Sequence, residues 1–149
     1  MNKNTPEGIK IVYHGNNTSF PLDNAYASAK LKKGKIYTVD YTIPDIQFDV
    51  NNCVCLKEDT CTDWDILLFN TVTEHINELL NTLQSEYIYL CKADGTVICK
   101  FNRVDHVVTY DDKTMLFYSK NDFIAEIAIH SFNSIIVDSY DNIVIYAKY

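Results

Sequence analysis

Apolar and polar positions alternate along most of the chain, and this pattern predicts a protein built mainly from β-strands. In the first half it marks strands at residues 9–14 and 35–41. Residues 46–50 alternate in the same way, and Asn51-Asn52 supplies a tight turn because Asn tolerates positive φ. Residues 46–50 and 53–57 are therefore predicted to form a hairpin.

One segment changes from a period of two to a period of 3.6. Thr71 and Glu74 have the spacing of a capping box, in which each side chain satisfies a backbone N–H at the start of a helix. Apolar residues follow at helical spacing, namely Val72, Ile76, Leu79, Leu80 and Leu83. The pattern predicts one amphipathic helix over residues 71–84, with its apolar stripe packed against the core.

Strand patterns then return at residues 87–91, 97–101, 104–110, 114–119, 123–130, 134–137 and 143–149. Short polar turns separate several of them, at Asp94-Gly95, 111–113 and 120–122. Close spacing and hairpin turns predict an antiparallel β-meander. The fold class predicted for the whole chain is α+β, mainly β.

The first of these turns fixes a register. A two-residue type I′ turn at Asp94-Gly95 pairs Ala93 with Thr96, and it pairs Cys91 with Ile98 and Leu90 with Cys99. Cys91 and Cys99 then lie on opposite faces of the hairpin and form no disulfide. A three-residue loop is the alternative, and it would place the two side chains on one face.

The five cysteines are Cys53, Cys55, Cys61, Cys91 and Cys99, and no two of them form a Cys-x-x-Cys pair. Cys53 and Cys55 share one face of a strand and, with Cys61 and a histidine, supply ligand types that zinc accepts. Their spacing matches no standard zinc site. The preferred interpretation is five reduced thiols, with no metal and no cofactor.

Charge and composition narrow the class of protein. The chain has 149 residues, with 20 acidic and 13 basic side chains and a net charge of −7. This balance argues against general nucleic-acid binding, which requires neutralisation of phosphates. It suits a basic partner, including a nucleic-acid-binding protein, or serves solubility alone. No leader is apparent and no apolar run approaches the roughly 18 residues of a membrane span, so we expect a cytoplasmic protein.

No catalytic constellation is apparent in the sequence. The four histidines, His14, His75, His106 and His130, are scattered, and the Gly-x-Ser-x-Gly and phosphate-loop motifs are absent. Paired aspartates such as Asp111-Asp112 fall in turns, where Asp is favoured for local hydrogen bonding. The chain is predicted not to be an enzyme, and catalysis through His106 or His130 is the minority hypothesis.

A basic turn is the first candidate binding site. Its lysines and neighbouring tyrosines are Lys30, Lys32, Lys33, Lys35, Tyr26 and Tyr37. Such a cluster can hold a phosphate, a nucleotide or a single strand by charge and stacking. The alternative is a solvated turn that closes at Gly34 and begins the strand over residues 35–41.

An acidic surface is the second candidate. Its carboxylates are Asp40, Asp45, Asp49, Glu58, Asp59, Asp63 and Asp65. If they share one face they form a negative ridge able to occupy a basic groove. Tyr41, Trp64 and Tyr140 are candidate aromatic anchors, since Tyr and Trp dominate interface hot spots. Trp64 has a second interpretation, as a core residue.

Three segments of the first half carry a family resemblance: Leu31-x-x-Gly34-Lys35-x-Tyr37-x-Val39, Val54-x-Leu56-Lys57-Glu58 and Leu68-Phe69-Asn70. This pattern resembles small SH3-like barrel proteins encoded by bacteriophages and other mobile elements of low-GC bacteria. Several of those relatives carry Cys-x-x-Cys pairs that are absent here, so zinc binding is not implied. The resemblance implies an SH3-like subdomain at residues 8–70, followed by a helix and meander at 71–149, or one compact domain overall.

The resemblance further implies a phage-type accessory protein, a class rich in inhibitors of host defence. The predicted function is non-enzymatic inhibition of a host protein, such as a CRISPR or related effector, by steric or electrostatic occlusion. The competing hypothesis is a nucleotide- or nucleic-acid-binding module that uses the basic turn. Homodimerisation through a strand edge of the meander remains open, and no single strand is favoured.

Overall fold

The computed structural model describes residues 7–15, 31–43, 53–83, 87–111 and 113–149, and for residues 43 and 59–63 it describes the backbone alone. Strands make up 56% of the described residues, which contain one α-helix. The predicted α+β, mainly β class is confirmed. No described helix has the length and apolar character needed to cross a membrane.

Two compact units divide the chain, residues 1–71 (unit 1) and 72–149 (unit 2). The described strands of unit 1 are β1 Lys10–Tyr13, β2 Ile36–Ile43, β3 Cys53–Leu56, β4 Asp59–Asp65 and β5 Phe69–Thr71, with a 3-10 turn at Ile66–Leu68 before β5. Unit 2 contains α1 Val72–Thr82, β6 Tyr87–Cys91, β7 Val97–Asn102, β8 His106–Tyr110, β9 Thr114–Ser119, β10 Asp122–Ala128, a 3-10 turn at Ile129–Ser131, β11 Phe132–Val137 and β12 Ile143–Ala147.

The sheet of unit 1 is antiparallel, with the strand order β4-β3-β2-β1-β5. β2 is the longest of these strands, and a bulge interrupts its pairing between Val39 and Tyr41. The part of β2 before the bulge pairs with β1, and the part from Val39 onward pairs with β3. A bulge bends a strand and increases its twist, so β2 can pair with different neighbours along its length.

Large apolar side chains fill the interior of unit 1. The cluster comprises Ile11, Tyr13, Leu31, Tyr37, Val39, Val54, Leu56, Trp64 and Phe69. Phe69 on β5 packs against two tyrosine rings, at 5.8 Å from Tyr13 and 6.4 Å from Tyr37 between ring centroids. Each such side chain stabilises the fold by about 1.5–3 kcal/mol when fully buried, so these rings tie β5 to β1 and β2.

The structure describes only the second strand of the hairpin predicted for residues 46–50 and 53–57. Residues 46–50 and the Asn51-Asn52 turn lie outside the described residues. The return strand, β3, is present, and it pairs with β2 on one side and with β4 on the other.

Unit 2 has two sheets, with strand orders β10-β9-β8 and β11-β12-β6-β7. The first is an antiparallel meander as predicted. In the second, β12 runs parallel to β6, with Ile143 opposite Ile88. The prediction of one continuous antiparallel meander is therefore wrong. Ile143, Val144 and Ile145 are all buried, and strands buried on both faces are typical of parallel pairing.

The β6–β7 turn has a three-residue loop instead of the predicted two-residue turn. The Lys92 N–H donates to the carbonyl of Thr96 at 2.8 Å, so the Ala93–Thr96 pair is wrong. Gly95 adopts φ +93°, a left-handed conformation that favours glycine. The Asp94 carboxylate accepts the Thr96 N–H at 2.9 Å and closes the loop.

A bulge next to this loop restores the predicted faces. Cys91 lies opposite Val97 instead of Ile98, whereas Leu90 lies opposite Cys99 as predicted. The extra loop residue shifts the register by one, and the bulge between these pairs shifts it back. Cys91 is buried and Cys99 is exposed, and neither forms a disulfide.

The helix α1 begins directly after Thr71, at the position that the capping-box pattern predicts. Val72 and Ile76 are its buried residues, while Leu79 and Leu80 are half-buried. The apolar stripe therefore packs inward most tightly at its N-terminal half.

Candidate functional site

The basic turn is tied to the unit 1 sheet by backbone hydrogen bonds. The Gly34 N–H donates to the Tyr13 carbonyl at 2.9 Å, and the Lys35 N–H donates to the Lys32 carbonyl at 3.1 Å. Gly34 has φ +84°, which its lack of a Cβ makes accessible. Lys32 and Lys33 are exposed and Lys35 is half-buried, so the turn presents its positive charge outward.

Tyr37 belongs to the core and not to the surface of this turn. Its side chain is 5% exposed, and its hydroxyl accepts the Lys32 N–H at 3.0 Å. The Lys35 ammonium lies 5.4 Å from the centre of the Tyr37 ring. The predicted stacking role requires an open ring face, so the described part of the site is reduced to the three lysines. Lys30 and Tyr26 lie outside the described residues.

The acidic surface is only partly described. Asp45 and Asp49 lie outside the described residues, and the structure describes Asp59 and Asp63 by their backbone alone. The strand register places Asp63 and Tyr41 opposite Cys55, from β4 and β2 respectively. Since neighbouring strands lie about 4.8 Å apart, positions 41 and 63 share one face at a separation of about 10 Å. Asp65, opposite Cys53, lies on the same face of β4.

Two of the three described carboxylates of this surface also have structural contacts. Both oxygens of Glu58 accept the Thr38 N–H, at 2.6 and 2.9 Å. Asp65 accepts the Leu67 N–H at 3.0 Å and caps the 3-10 turn. Asp40, at the bulge in β2, is half-buried. Substitution of Glu58 or Asp65 would thus disturb the fold as well as the charge.

The three candidate anchors differ in exposure. Tyr41 is 47% exposed on β2, and Tyr140 is 83% exposed in the β11–β12 turn of unit 2. Trp64 is 0% exposed and belongs to the unit 1 core, with no hydrogen-bond partner for its Nε1. An anchor must reach the partner, so Trp64 is a core residue and Tyr41 is the anchor that remains in unit 1.

Several strands of unit 2 carry exposed apolar side chains that the sequence did not identify. They are Val97, Ile98, Val108, Tyr110, Phe123, Ile136 and Val137. The sequence predicts the strands that carry them, but alternation alone cannot tell which of two apolar faces is covered. A signal was available at the start of β7, where the apolar residues Val97, Ile98 and Cys99 are consecutive and do not alternate with polar ones.

His106 takes part in a cluster of side-chain contacts at one end of the β8–β10 sheet. Its Nδ1 lies 2.6 Å from Oδ1 of Asp105, and its ring stacks on Tyr118 with centroids 5.1 Å apart. The other Asp105 oxygen accepts the Lys120 N–H at 2.6 Å in the β9–β10 turn. This backbone bond and the His106 contact lower the pKa of the Asp105 carboxyl. The cluster thus holds a turn in place. His130, the other histidine considered for catalysis, is exposed in a 3-10 turn.

Charge is divided unequally between the units. Unit 2 has 11 acidic and 6 basic residues, a net charge of −5, and unit 1 has 9 acidic and 7 basic residues, a net charge of −2. Among the described side chains, no group of three or more His, Cys, Asp or Glu is placed to hold a metal ion.

Comparison with known proteins identifies no relative: no family model, no curated protein and no solved structure matches the chain. The function must therefore be argued from the surface chemistry of the described residues.

Proposed function

We propose that this chain is a non-enzymatic binding protein of phage or mobile-element type, which inhibits a host protein by covering its surface. The observation that carries the proposal is the exposure of large side chains on β-strands, Tyr41 in unit 1 and Tyr110 and Phe123 in unit 2. Aromatic residues dominate the energetics of protein interfaces. Strands hold such side chains in fixed positions, which lowers the entropy lost on binding.

The topology of unit 1 supports an SH3-like assignment. Its five antiparallel strands place β1 between β2 and β5, and a bulged β2 pairs with β1 and then with β3. A 3-10 turn stands directly before β5. This order is the one expected of a small SH3-like barrel, and we propose that unit 1 is one.

Net charge supports a basic partner. The chain carries −7, and Asp40 directly precedes the exposed Tyr41 in the sequence of β2. Complementary charge steers association and selects the partner. We propose that the target is the nucleic-acid-binding groove of a host defence effector, such as a CRISPR nuclease, in the cytosol of the host cell.

The competing function uses the basic turn. Lys32 and Lys33 are exposed and held next to one another by the Gly34 turn. A phosphate would bind there by charge alone, since Tyr37 is buried. A nucleotide or single strand is the ligand for this alternative.

Affinity measurements on three variants separate the two functions. The wild-type chain is used to capture a partner from a low-GC bacterial lysate, and the purified partner is then titrated at low and high salt. Asp40→Lys with Tyr41→Ala should weaken binding by about 30-fold or more, the size of a hot-spot loss. Tyr140→Ala, a matched exposed tyrosine in unit 2, should have little effect.

The double variant Lys32→Glu with Lys33→Glu tests the basic turn. It should leave partner binding intact, because the occluding surface is acidic. If this variant alone abolishes binding, and nucleotides raise the melting temperature of the wild-type chain by mass action, the ligand-binding function replaces the proposed one.

A further inference from the structure

The sheet formed by β8, β9 and β10 has apolar side chains on both of its faces. Its inner face carries Val107, Met115 and Phe117, which are all buried. The Phe117 ring stacks on Phe101 of β7, with centroids 5.1 Å apart. An antiparallel sheet commonly packs one face on the core and presents polar side chains to solvent on the other. The second face of this sheet departs from that pattern.

The strand register identifies the side chains that share the second face, called here the outer face. Its three rows across β8, β9 and β10 are His106, Tyr118 and Phe123, then Val108, Leu116 and Glu126, then Tyr110, Thr114 and Ala128. A bulge in β10 after Phe123 brings Glu126 to the same face as Phe123. Ring contacts agree with the first row, since Tyr118 stacks on His106 at 5.1 Å and meets Phe123 edge-on at 6.1 Å between centroids.

The outer face is apolar and open to solvent. Tyr110 is 65% exposed, Phe123 57% and Val108 39%, and Leu116 and Tyr118 between them on β9 are half-buried. A layer of secondary structure with an apolar face normally buries that face against a second layer. In the described part of the chain this face has no such cover, so it is suited to receive an element of another molecule.

The dimensions of the outer face fit an α-helix. Since neighbouring strands lie about 4.8 Å apart, the side chains of β8 and β10 flank those of β9 at a separation of about 10 Å, which is the diameter of a helix. The rows that begin at His106 and Tyr110 are about 14 Å apart, at about 3.4 Å per residue. A helix rises about 1.5 Å per residue, so about nine residues of helix along β9 would cover all three rows.

The charge on the outer face indicates what kind of helix would fit. Glu126 is exposed on the edge strand β10, and no described side chain forms an ion pair with it. His106, at the opposite corner, already contacts Asp105 at 2.6 Å. The outer face carries no lysine or arginine, so the same face of a second copy would bring no such cation to Glu126. A covered carboxylate requires a cationic or hydrogen-bonding partner, which another molecule must supply.

We propose that the outer face binds an amphipathic helix of the partner protein, whose apolar stripe lies along β9 and whose flanking lysine or arginine pairs with Glu126. Helices bind apolar surfaces through side chains spaced three and four residues apart. The stem of a flanking lysine covers apolar surface while its ammonium reaches a carboxylate at the border. This helix-binding site depends on the proposed function, since the helix belongs to the proposed partner.

A synthetic peptide tests the site on the isolated full chain. The probe is a fluorescein-labelled helix of leucine and lysine, about 15 residues long so that it forms a helix in water, with the leucines along one face. Titration followed by anisotropy should show saturable binding. A peptide with the same leucines and with glutamate in place of lysine should bind about tenfold more weakly or not at all, because it brings like charge to Glu126.

Variants of the exposed aromatic residues test where the peptide binds. Phe123→Ala and Tyr110→Ala should each weaken binding about tenfold, as expected for aromatic residues of an interface. Tyr140→Ala is the matched control, because Tyr140 is exposed in unit 2 but lies in the β11–β12 turn, and it should leave the affinity unchanged. All three variants should keep the far-UV spectrum of the wild-type chain, since these side chains are exposed.

The ion pair has its own test. Glu126→Gln should weaken binding about two- to fivefold, the size of an exposed ion pair, and this difference should disappear at high salt. Glu78→Gln removes an exposed carboxylate from α1 and should have no effect. Equal losses in the two variants would show that the peptide responds to net charge alone and would overturn the site.

Two further results would overturn the proposal. One is the absence of saturable peptide binding, or binding that Tyr140→Ala weakens as much as Phe123→Ala does. The other is a wild-type dimer in sedimentation, at twice 17.2 kDa, that Phe123→Ala dissociates. In that case a second copy of the chain covers the outer face.

The captured partner separates this site from the proposed function. If Asp40→Lys with Tyr41→Ala weakens partner binding and Phe123→Ala does not, the helix-binding site is wrong and the proposed function stands. If both changes weaken binding, the partner contacts both surfaces, as proposed. If no host protein binds the chain, the proposed function fails, and the peptide titration alone decides whether the outer face binds a helix.

Discussion

Two consecutive strands of unit 2, β7 and β8, are edge strands of different sheets, and their edges differ in how they are covered. The edge of β8 is covered by α1. The Asn77 amide donates to the Val107 carbonyl at 2.9 Å and accepts the Val107 N–H at 2.9 Å. The hydroxyls of Thr73 and Thr109 also form a hydrogen bond. One side-chain amide thus takes the place of a paired strand on β8, while β7 keeps exposed aliphatic side chains at its edge.

The comparison shows that edge protection here is specific and local. Helices and charged side chains are both common ways to block an edge. Unit 2 uses a helix for β8, carboxylates for β10, and neither for β7. The edge strand β11 has neither device among the described residues, and β7 has a bulge at Ile98, which twists an edge away from a second strand.

Removal of the Asn77 amide, which covers the β8 edge, should produce the largest loss of stability among the variants considered. Asn77→Ala leaves the Val107 N–H and C=O without their partner, and unsatisfied buried groups cost about 1–3 kcal/mol each. Alanine offsets part of this loss because it favours a helix by about 0.5 kcal/mol. We expect the free energy of unfolding to fall by about 2 kcal/mol, measured by urea denaturation at an unchanged m-value.

Asn81→Ala is the matched control, because Asn81 is an exposed asparagine one turn further along α1. It should leave stability unchanged or raise it slightly. Equal effects of the two substitutions would show that Asn77 does not protect the β8 edge. An opened β8 should also increase self-association of the Asn77→Ala variant, since its edge would then be open to another strand.

Local turn chemistry explains why the strands of unit 2 follow from the sequence. Lys120 and Asn121 both have positive φ, as a two-residue type I′ hairpin turn requires. The polar residues at 120–122 mark this turn in the sequence. Pairing between strands that are distant in the sequence cannot be predicted from turn residues. The parallel pair of β12 and β6 has no connecting turn, and it depends on how both faces of β12 are covered.

The candidate site was harder to predict because exposure depends on tertiary packing. Tyr37 and Tyr41 are both tyrosines of β2, yet one is buried and the other is 47% exposed. The pairing partner of β2 changes at the bulge between Val39 and Tyr41. No residue type in the sequence predicts this bulge. For Trp64 the sequence favours the core over an anchor role, and the sheet, in which Trp64 is 0% exposed, shows that it is a core residue.

The end of the protected sheet is predicted to depend on pH through Asp105. Its pKa is lowered because the folded carboxylate accepts the Lys120 N–H and contacts His106. In the unfolded chain the pKa returns to about 3.9. The stabilisation is therefore present above that pH and is lost as the pH falls through the lower, folded value.

Urea midpoints of wild-type and Asp105→Asn protein should thus differ at neutral pH and converge in acid. The wild-type chain should be the more stable one at neutral pH. Asp141→Asn is the control, since Asp141 is an exposed turn residue with positive φ that Asn tolerates. A constant gap between wild type and Asp105→Asn down to the most acidic buffers would show that the charge of Asp105 is not what holds the turn.

Thiol labelling should sharpen the contrast at the β7 edge without changing stability. Cys99 on β7 is exposed, whereas Cys91 on β6 is buried and burial raises the pKa of its thiol. Since the thiolate is the reactive form, a maleimide should label Cys99 in the native protein and reach Cys91 only after unfolding, as peptide mass mapping would show. Cys99→Ser should abolish the fast native-state labelling on this hairpin. Equal labelling of both residues would contradict the bulge, because without it the three-residue loop places both side chains on one face.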